Sequence, residues 1–267
     1  GIRDQPRSRG LGDVYKRHLN DCDYRDYRPQ LDALHYLLTS EHLYDRQYED
    51  REWYLCEWKA NRQMYPPIKK QFGCISFDKG GYYCIREKDT FSFIRCGRYK
   101  DRPAHADHLH LDIWYQGENY LFDGGSYKYN TTEKLLRYFM GTESHNTIML
   151  EGHDQMLKGD RFIWYNWSQA EWSSLKETED AYIFEGKVSC FTYLNKEMKH
   201  YRRIVKWKNT SKWEIEDCID GKSQDVNMRQ LWHTNKDNLS LDSNGKTVDT
   251  KQLCSNYYGQ TTECRQV

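Results

Sequence analysis

From Arg102 to Ile148 the chain reads R-P-A-H-A-D-H-L-H-L-D-I-W, then L-F-D-G-G-S-Y-K-Y-N, then G-T-E-S-H-N-T-I, with short stretches between. Four of its ten histidines fall here, at His105, His108, His110 and His145, with Asp123 and the close-set Tyr127 and Tyr129. Imidazole, carboxylate and phenol groups at strand ends and turns are the material of acid–base and metal-assisted chemistry. Their spacing matches no zinc-finger or H-E-x-x-H pattern. On spacing alone the same residues read equally as a polar sheet edge with surface histidines.

Period-two alternation from His105 to Tyr115 predicts a strand with His105, Asp107, Leu109 and Leu111 on one face and His108, His110 and Asp112 on the other. Gly117-Glu118-Asn119 turns the chain and Tyr120–Asp123 returns it, bringing Asp123 toward His105. Thr131–Met140 reads as a short helix, and His145 follows in a loop. Upstream, Gly73–Phe77 and Tyr82–Arg86 flank Asp78-Lys79-Gly80-Gly81, a hairpin signal, and Thr90–Cys96 is a further strand. Downstream, strand signals recur at Thr147–Leu150, Gln169–Leu175, Ala181–Val188, Met198–Lys208, Trp213–Asp220 and Val226–Trp232. Short turns without intervening helices point to antiparallel sheets stacked as a β-sandwich. The polar stretch after Asn244 reads as an incomplete edge strand or tail.

Before Pro66-Pro67 the pattern is helical. Leu31, Leu34, His35 and Leu38 follow Pro29 at helical spacing, a second stretch runs from about Tyr48 to Met64, and Gly1 to Arg9 reads as a loose basic lead-in. The expected division is a helical segment over 1–70 and a β domain over 71–267.

Lysine plus arginine and aspartate plus glutamate each total 40, so the formal net charge is zero and no global field attracts nucleic acid. An acidic partner must be held by a local basic cluster. The 22 tyrosines and nine tryptophans suit either a sugar-binding cleft or an amphipathic sheet. No apolar run reaches the roughly 18 residues of a membrane-spanning helix. Nine cysteines without a C-x-x-C pair argue against a disulfide framework and lean toward a reducing compartment, the cytoplasm. The chain starts at Gly1, so the lack of a signal peptide decides nothing.

The three motifs between Arg102 and Ile148, in this order and spacing, resemble the C-terminal region of the heparinase II/III-like family, polysaccharide lyases and their relatives, several linked to bacterial polysaccharide metabolism. The resemblance implies a supersandwich-like β domain, with residues 1–70 as the end of an α/α toroid. It implies β-elimination on an acidic, uronic-acid polysaccharide, and it also allows a periplasmic location. His105, Asp123 and His145 fall where the family's divalent-metal ligands sit, and two imidazoles with a carboxylate suit zinc. Tyr127 and Tyr129, in the D-x-G-x-Y-x-Y pattern, are the expected base and acid, with Arg137 as the cation that lowers a phenol pKa. Arg102, Asn146 and His233 are weaker candidates for sugar carboxylates or sulfates.

Two departures set limits. Pro103 stands where many relatives carry a second histidine, and the helical region is short. The expectation is therefore a lyase-like domain that is incomplete as a catalyst in this form. The alternative is a non-catalytic carbohydrate-binding or structural domain. A metal-dependent hydrolase is disfavoured, since no close carboxylate pair flanks a cleft.

Overall fold

The structure, a computed structural model, describes residues 27–44, 71–222, 226–257 and 259–267. The chain divides into two units between Gln71 and Phe72. In the first unit, α1 (Arg28–Thr39) starts with Pro29 in its first turn and stops at Ser40, whose φ is 62°. Asp32 is buried under the turn that follows, accepting from Leu43 N at 2.7 Å and from His42 Nδ1 at 3.1 Å. The leucines at helical spacing, Leu31, Leu34 and Leu38, stay exposed. The expected lead-in Gly1–Arg9 and second helix Tyr48–Met64 lie outside the described residues.

The second unit is a sandwich. Its first sheet is an antiparallel meander of β1 (Gly73–Phe77), β2 (Tyr82–Arg86), β3 (Thr90–Arg95), β4 (Leu111–Tyr115) and β5 (Glu118–Leu121). The β1–β2 turn works because Gly81, at φ +71°, crosses Gly97 so closely that a Cβ would lie 2.1 Å from its Cα. After α2 (Glu133–Met140), β6 (Ile148–Leu150), β7 (Leu157–Lys158) and β8 (Trp164–Tyr165) come short strands outside the two main sheets. The second sheet joins β9 (Gln169–Glu177), β10 (Ala181–Ser189), β11 (Lys199–Trp207) and β12 (Trp213–Asp220) by consecutive antiparallel pairing. Tyr83, Ile85, Ile94, Leu111 and Ile113 from the first sheet meet Phe184, Val188 and Ile204 from the second in one buried core. The Tyr83 and Phe184 rings lie 5.0 Å apart across it. On β3 it is Thr90, Ser92 and Ile94 that point inward, while Phe91, Phe93 and Arg95 face out. Ser92 is accommodated because its Oγ accepts from Trp213 Nε1 of the opposite sheet at 2.9 Å.

Two expectations need correction. The strand predicted from His105 begins only at Leu111. Leu109 is in the left-handed region at φ +60°, His110 N donates back to Asp107 O, and Leu109 N reaches Arg95 O. Residues 105–110 are therefore a folded turn, and the alternating-face argument does not apply to them. The C-terminal stretch is not a tail. β13 (Met228–Gln230) pairs with β6, and β14 (His233–Thr234), β15 (Thr250–Tyr257) and β16 (Gln260–Gln266) form a sheet in the order β14-β16-β15. Cys254 and Cys264 of that sheet are buried against Phe122, so the polar strands carry apolar side chains at the positions that pack.

Candidate functional site

The three loops singled out by the sequence converge at one end of the first sheet. His145, fully buried, gives its Nδ1 to Asp123 Oδ2 at 2.6 Å, and its Nε2 lies 3.3 Å from His105 Nδ1. The groups form a line, Asp123–His145–His105, with the middle imidazole engaged on both nitrogens. The outer nitrogen of His105, Nε2, lies 3.5 Å from Ser126 Oγ, so the line opens toward the stretch that carries Tyr127 and Tyr129.

Burial opposes charge on His145, but the Asp123 carboxylate beside it prevails and raises its pKa. Burial likewise opposes charge on Asp123, yet His145 and the neighbouring imidazoles hold it well below the usual carboxylate range. His105, desolvated and next to His145, is lowered to about 4, and desolvation lowers His110 to about 4 as well. The arrangement favours the proton on His145, against the Asp123 carboxylate, and leaves the flanking imidazoles neutral near neutral pH.

Buried hydrogen bonds fix these loops. Asn146, next to His145, donates from Nδ2 to Leu111 O and Phe122 O, and its Oδ1 accepts from His233 N at 2.8 Å. Arg202 of β11, fully buried, makes a bidentate pair with Asp217 of β12 and uses Nη1 to reach Leu109 O at 2.7 Å and Asn146 O at 2.9 Å. One guanidinium thus ties the His105–His110 turn, the His145–Asn146 loop and the second sheet together. His108 is a structural member of this scaffold. Its Nε2 faces Gly97 O at 2.7 Å and its Nδ1 faces Ser168 Oγ at 2.8 Å.

The Asp123 loop is held from the other side by β15. Asp123 Oδ1 accepts from Gly125 N, Ser255 N donates to Gly124 O, and Gly259 N reaches Tyr127 O. Gly125, at φ +88°, passes so close to Ser255 that an added Cβ would lie 2.1 Å from its carbonyl oxygen. Gly125→Ala should therefore push β15 off the loop and destabilise the unit by about 1–3 kcal/mol, read by urea denaturation. A variant as stable as the parent would show that the contact is dispensable.

The remaining predicted residues divide into rim and interior. Tyr127, at φ +55°, stacks on Phe139 with centroids 5.4 Å apart, and Tyr129 meets Phe162 edge-on at 5.3 Å. Both are half-buried. Arg102 lies over the same Phe162 ring at 5.4 Å and donates to its carbonyl, so Arg102 and Tyr129 share one aromatic neighbour. Arg137 pairs with Glu133 on the exposed side of α2, so its charge is already shared. Asn146 and His233 are corrections, because both are fully buried in the clasp described above and neither side chain can meet a sugar. Sequence reasoning missed Arg202 and Asp217 altogether. The available signal was charge in the inward phase of alternating strands, His200-x-Arg202-x-Ile204 and Ile215-x-Asp217-x-Ile219.

The donor atoms of His110, Asp123 and His145 lie within 4.8 Å of one another, the one such triad among the described residues. His110 is the weaker metal ligand of the three. Its Nδ1 accepts from Asn146 N at 2.9 Å, so the neutral ring carries its proton on Nε2. His145 and His105 differ, because two ring nitrogens face each other at 3.3 Å. Two imidazoles on a tetrahedral zinc, each at about 2.0–2.1 Å, have nitrogens about 3.3 Å apart. Asp123, on the far nitrogen of His145, then occupies the place of the carboxylate that orients a ligating imidazole. The donor set fits a divalent metal, with Asp123 behind His145 rather than converging with both histidines.

Among solved structures, a heparan sulfate lyase, HepC from Pedobacter heparinus, is similar over 90% of this chain and 38% of its own, at 14% identity and a TM-score of 0.64. A protein described as Heparinase III-BT4657 gene product is similar over 76% of this chain and 34% of its own, at 16% identity and a TM-score of 0.59. At such identities the likeness is one of fold, and the chain spans about a third of the length of these structures. No curated protein matches the sequence. Residues 70–266 match the family described as heparinase II/III-like, C-terminal, and with three quarters of its length inside that match the chain belongs to this family.

Proposed function

We propose that this chain is the β-sandwich part of a polysaccharide lyase acting on uronic-acid chains by β-elimination. The observation that carries the reading is the Asp123–His145–His105 line opening toward the loop of Tyr127 and Tyr129, with Arg102 at the rim. In such a reaction a base removes the proton alpha to the sugar carboxylate. The electron pair forms the new carbon–carbon double bond, and the glycosidic oxygen leaves with a proton from an acid. In this reading Tyr129, which shares the Phe162 ring with Arg102, serves as base and acid in turn, with Tyr127 as the neighbouring phenol. Arg102, and Lys128 over the Tyr127 ring at 5.2 Å, are the cations this reading assigns to a sugar carboxylate. Tyr127 has a left-handed backbone, at φ +55°, in the loop that leads from Ser126 beside His105.

A divalent metal, zinc by donor chemistry, would be held by His145 and His105 with Asp123 orienting His145; it would supply positive charge that rigidifies the loops or neutralises a carboxylate. His105→Ala and His145→Ala should each lower metal content and melting temperature together, by elemental analysis and thermal melts of the same samples. Metal-free protein with both variants as stable as the parent would remove the metal from the reading.

Turnover is tested by the ultraviolet absorbance of unsaturated uronic products across heparan sulfate, chondroitin, alginate and hyaluronan. Residues 1–267 alone should be nil or very slow, because base, acid and carboxylate-neutralising groups must share one geometry and an error of about an ångström can cost roughly 100-fold. Cleavage at ordinary enzyme rates that survives Tyr129→Phe would overturn both the expectation of an incomplete catalyst and the choice of tyrosine. The second reading, a non-catalytic carbohydrate-binding domain, is favoured by the packing of both phenols on phenylalanines and the commitment of Arg137 to Glu133.

A further inference from the structure

The outward face of the first sheet is aromatic, where a solvated antiparallel sheet is ordinarily polar. Strand register sets Tyr82 level with Arg95, Phe93 level with Asp112, and Phe91 between Arg86 and Trp114. Phe77, Tyr82 and Trp114 are 54, 41 and 37% exposed. The Tyr82 and Phe93 rings stack 5.6 Å apart with their planes within 27°, on an open sheet face that forms a ledge. With strands about 4.8 Å apart, β1 to β4 span roughly 15 Å, room for more than one sugar ring.

The ledge carries a cation. Arg86 lies over Phe91 at 4.4 Å and forms no ion pair among the described residues. The acid on this face, Asp112, is turned in from the ledge, with a buried Oδ1 and its Oδ2 accepting from Asn119 Nδ2 at 3.4 Å. The ledge also continues into the candidate site. Arg95, at its inner corner, is paired with Asp107 and donates to Tyr99 OH, and that hydroxyl donates to His105 O.

We propose that this ledge binds an acidic polysaccharide chain, stacking pyranose faces on Tyr82, Phe93 and Trp114 and placing a carboxylate or sulfate on Arg86. Flat rings match the apolar faces of pyranoses, and a guanidinium held over a ring offers its remaining donors to an oxyanion in a fixed plane. The location rests on the geometry alone; the acidic character of the sugar rests also on the lyase reading. A chain seated here would run from Trp114 toward Arg95 and reach the His105 loop, so the ledge would hold sugars remote from the reacting bond.

The test is calorimetric titration of the full chain with a heparan sulfate decasaccharide, at two salt concentrations, with a cello-oligosaccharide as the neutral control. Arg86→Gln and Trp114→Ala should each weaken decasaccharide binding about 10-fold, and Arg86→Gln should also flatten its salt dependence. Melting temperatures within a few degrees of the parent would show that the fold is intact, and Tyr82→Ala, at a more exposed position, is the alternate variant should Trp114→Ala unfold. Parent-like affinity in these variants overturns the proposal, as does a parent that binds no decasaccharide. Sedimentation showing a dimer that Tyr82→Ala dissociates overturns it too, because a second copy of the chain would then cover the ledge. Binding that behaves as expected leaves the ledge standing whether or not ultraviolet-absorbing product appears, since residues 1–267 alone are expected to turn over slowly or not at all.

Discussion

Replacing Arg202 with methionine is expected to destabilise the β unit by about 3–5 kcal/mol, the largest single-residue effect anticipated here. The side chain is fully buried, and its loss strands the equally buried Asp217, whose low pKa rests on Arg202 and His200 overcoming burial. It also frees the carbonyls of Leu109 and Asn146, each then lacking a charged donor inside the protein. His200 Nε2 at 2.6 Å and Gln230 Nε2 at 2.8 Å remain on Asp217 but cannot replace a bidentate guanidinium. Urea denaturation of Arg202→Met, Asp217→Leu and the double variant reads this directly. The double variant should be less destabilised than the sum of the two, since removing both charges avoids an unpaired one. A single variant within about 1 kcal/mol of the parent would mean that the pair does not hold the histidine loops.

Acid should unfold the metal-free protein cooperatively between about pH 6 and pH 4. Burial is the main cause that lowers His108 to about 4, His110 to about 4 and His233 to about 3. Their ordinary value is about 6.5. A folded pKa below the unfolded one means the unfolded chain binds more protons. The stability these groups contribute is present above about pH 6.5 and lost as pH falls toward the folded values. At about 1.4 kcal/mol per unit, each is worth on the order of 3 kcal/mol, so two or three rival a total stability of roughly 5–15 kcal/mol. His145 acts in the opposite sense. Its raised pKa contributes stability that is fully present below about pH 6.5 and fades as pH rises through the folded value. Asp123, depressed, contributes above about pH 4 and is lost only in stronger acid. With His105, also lowered to about 4, and His200, lowered by burial, five imidazoles oppose one, and the net slope favours unfolding as acid is added. Tryptophan fluorescence and near-ultraviolet circular dichroism across pH 7 to 3, with proton uptake by calorimetry, should show more than one proton bound in the transition. His108→Gln should lower the midpoint, because glutamine cannot be protonated. Spectra unchanged at pH 4 would refute the assignment of these histidines as buried and neutral.

The sequence by itself determined the sandwich and most of its strands. Alternation with short turns is a local signal, and it placed β1, β2 and β12 at their observed bounds and β3, β9, β10 and β11 to within a residue or two. That His105, Asp123 and His145 share one site came from the family resemblance, since the turn at Gly117 by itself brought only Asp123 toward His105. What the sequence could not decide depends on partners remote in the chain. Alternation across residues 105–115 read as one strand, yet Leu109 turns back because its carbonyl meets Arg202, 93 residues away. The polar stretch after Asn244 gave no amphipathic pattern, and it folds because Cys254, Cys264 and the Gly125–Ser255 approach supply contacts that only the assembled sheet offers. Asn146 and His233 have the residue types of sugar ligands, but burial makes them a clasp. On β3, period two gave two faces without saying which was inner, and the opposite sheet chose Ser92 and Ile94 by offering Trp213 Nε1 to the serine. Local pattern fixes element and phase; which polar groups are consumed by the interior, and which remain for chemistry, is set by where distant strands bring their donors and charges.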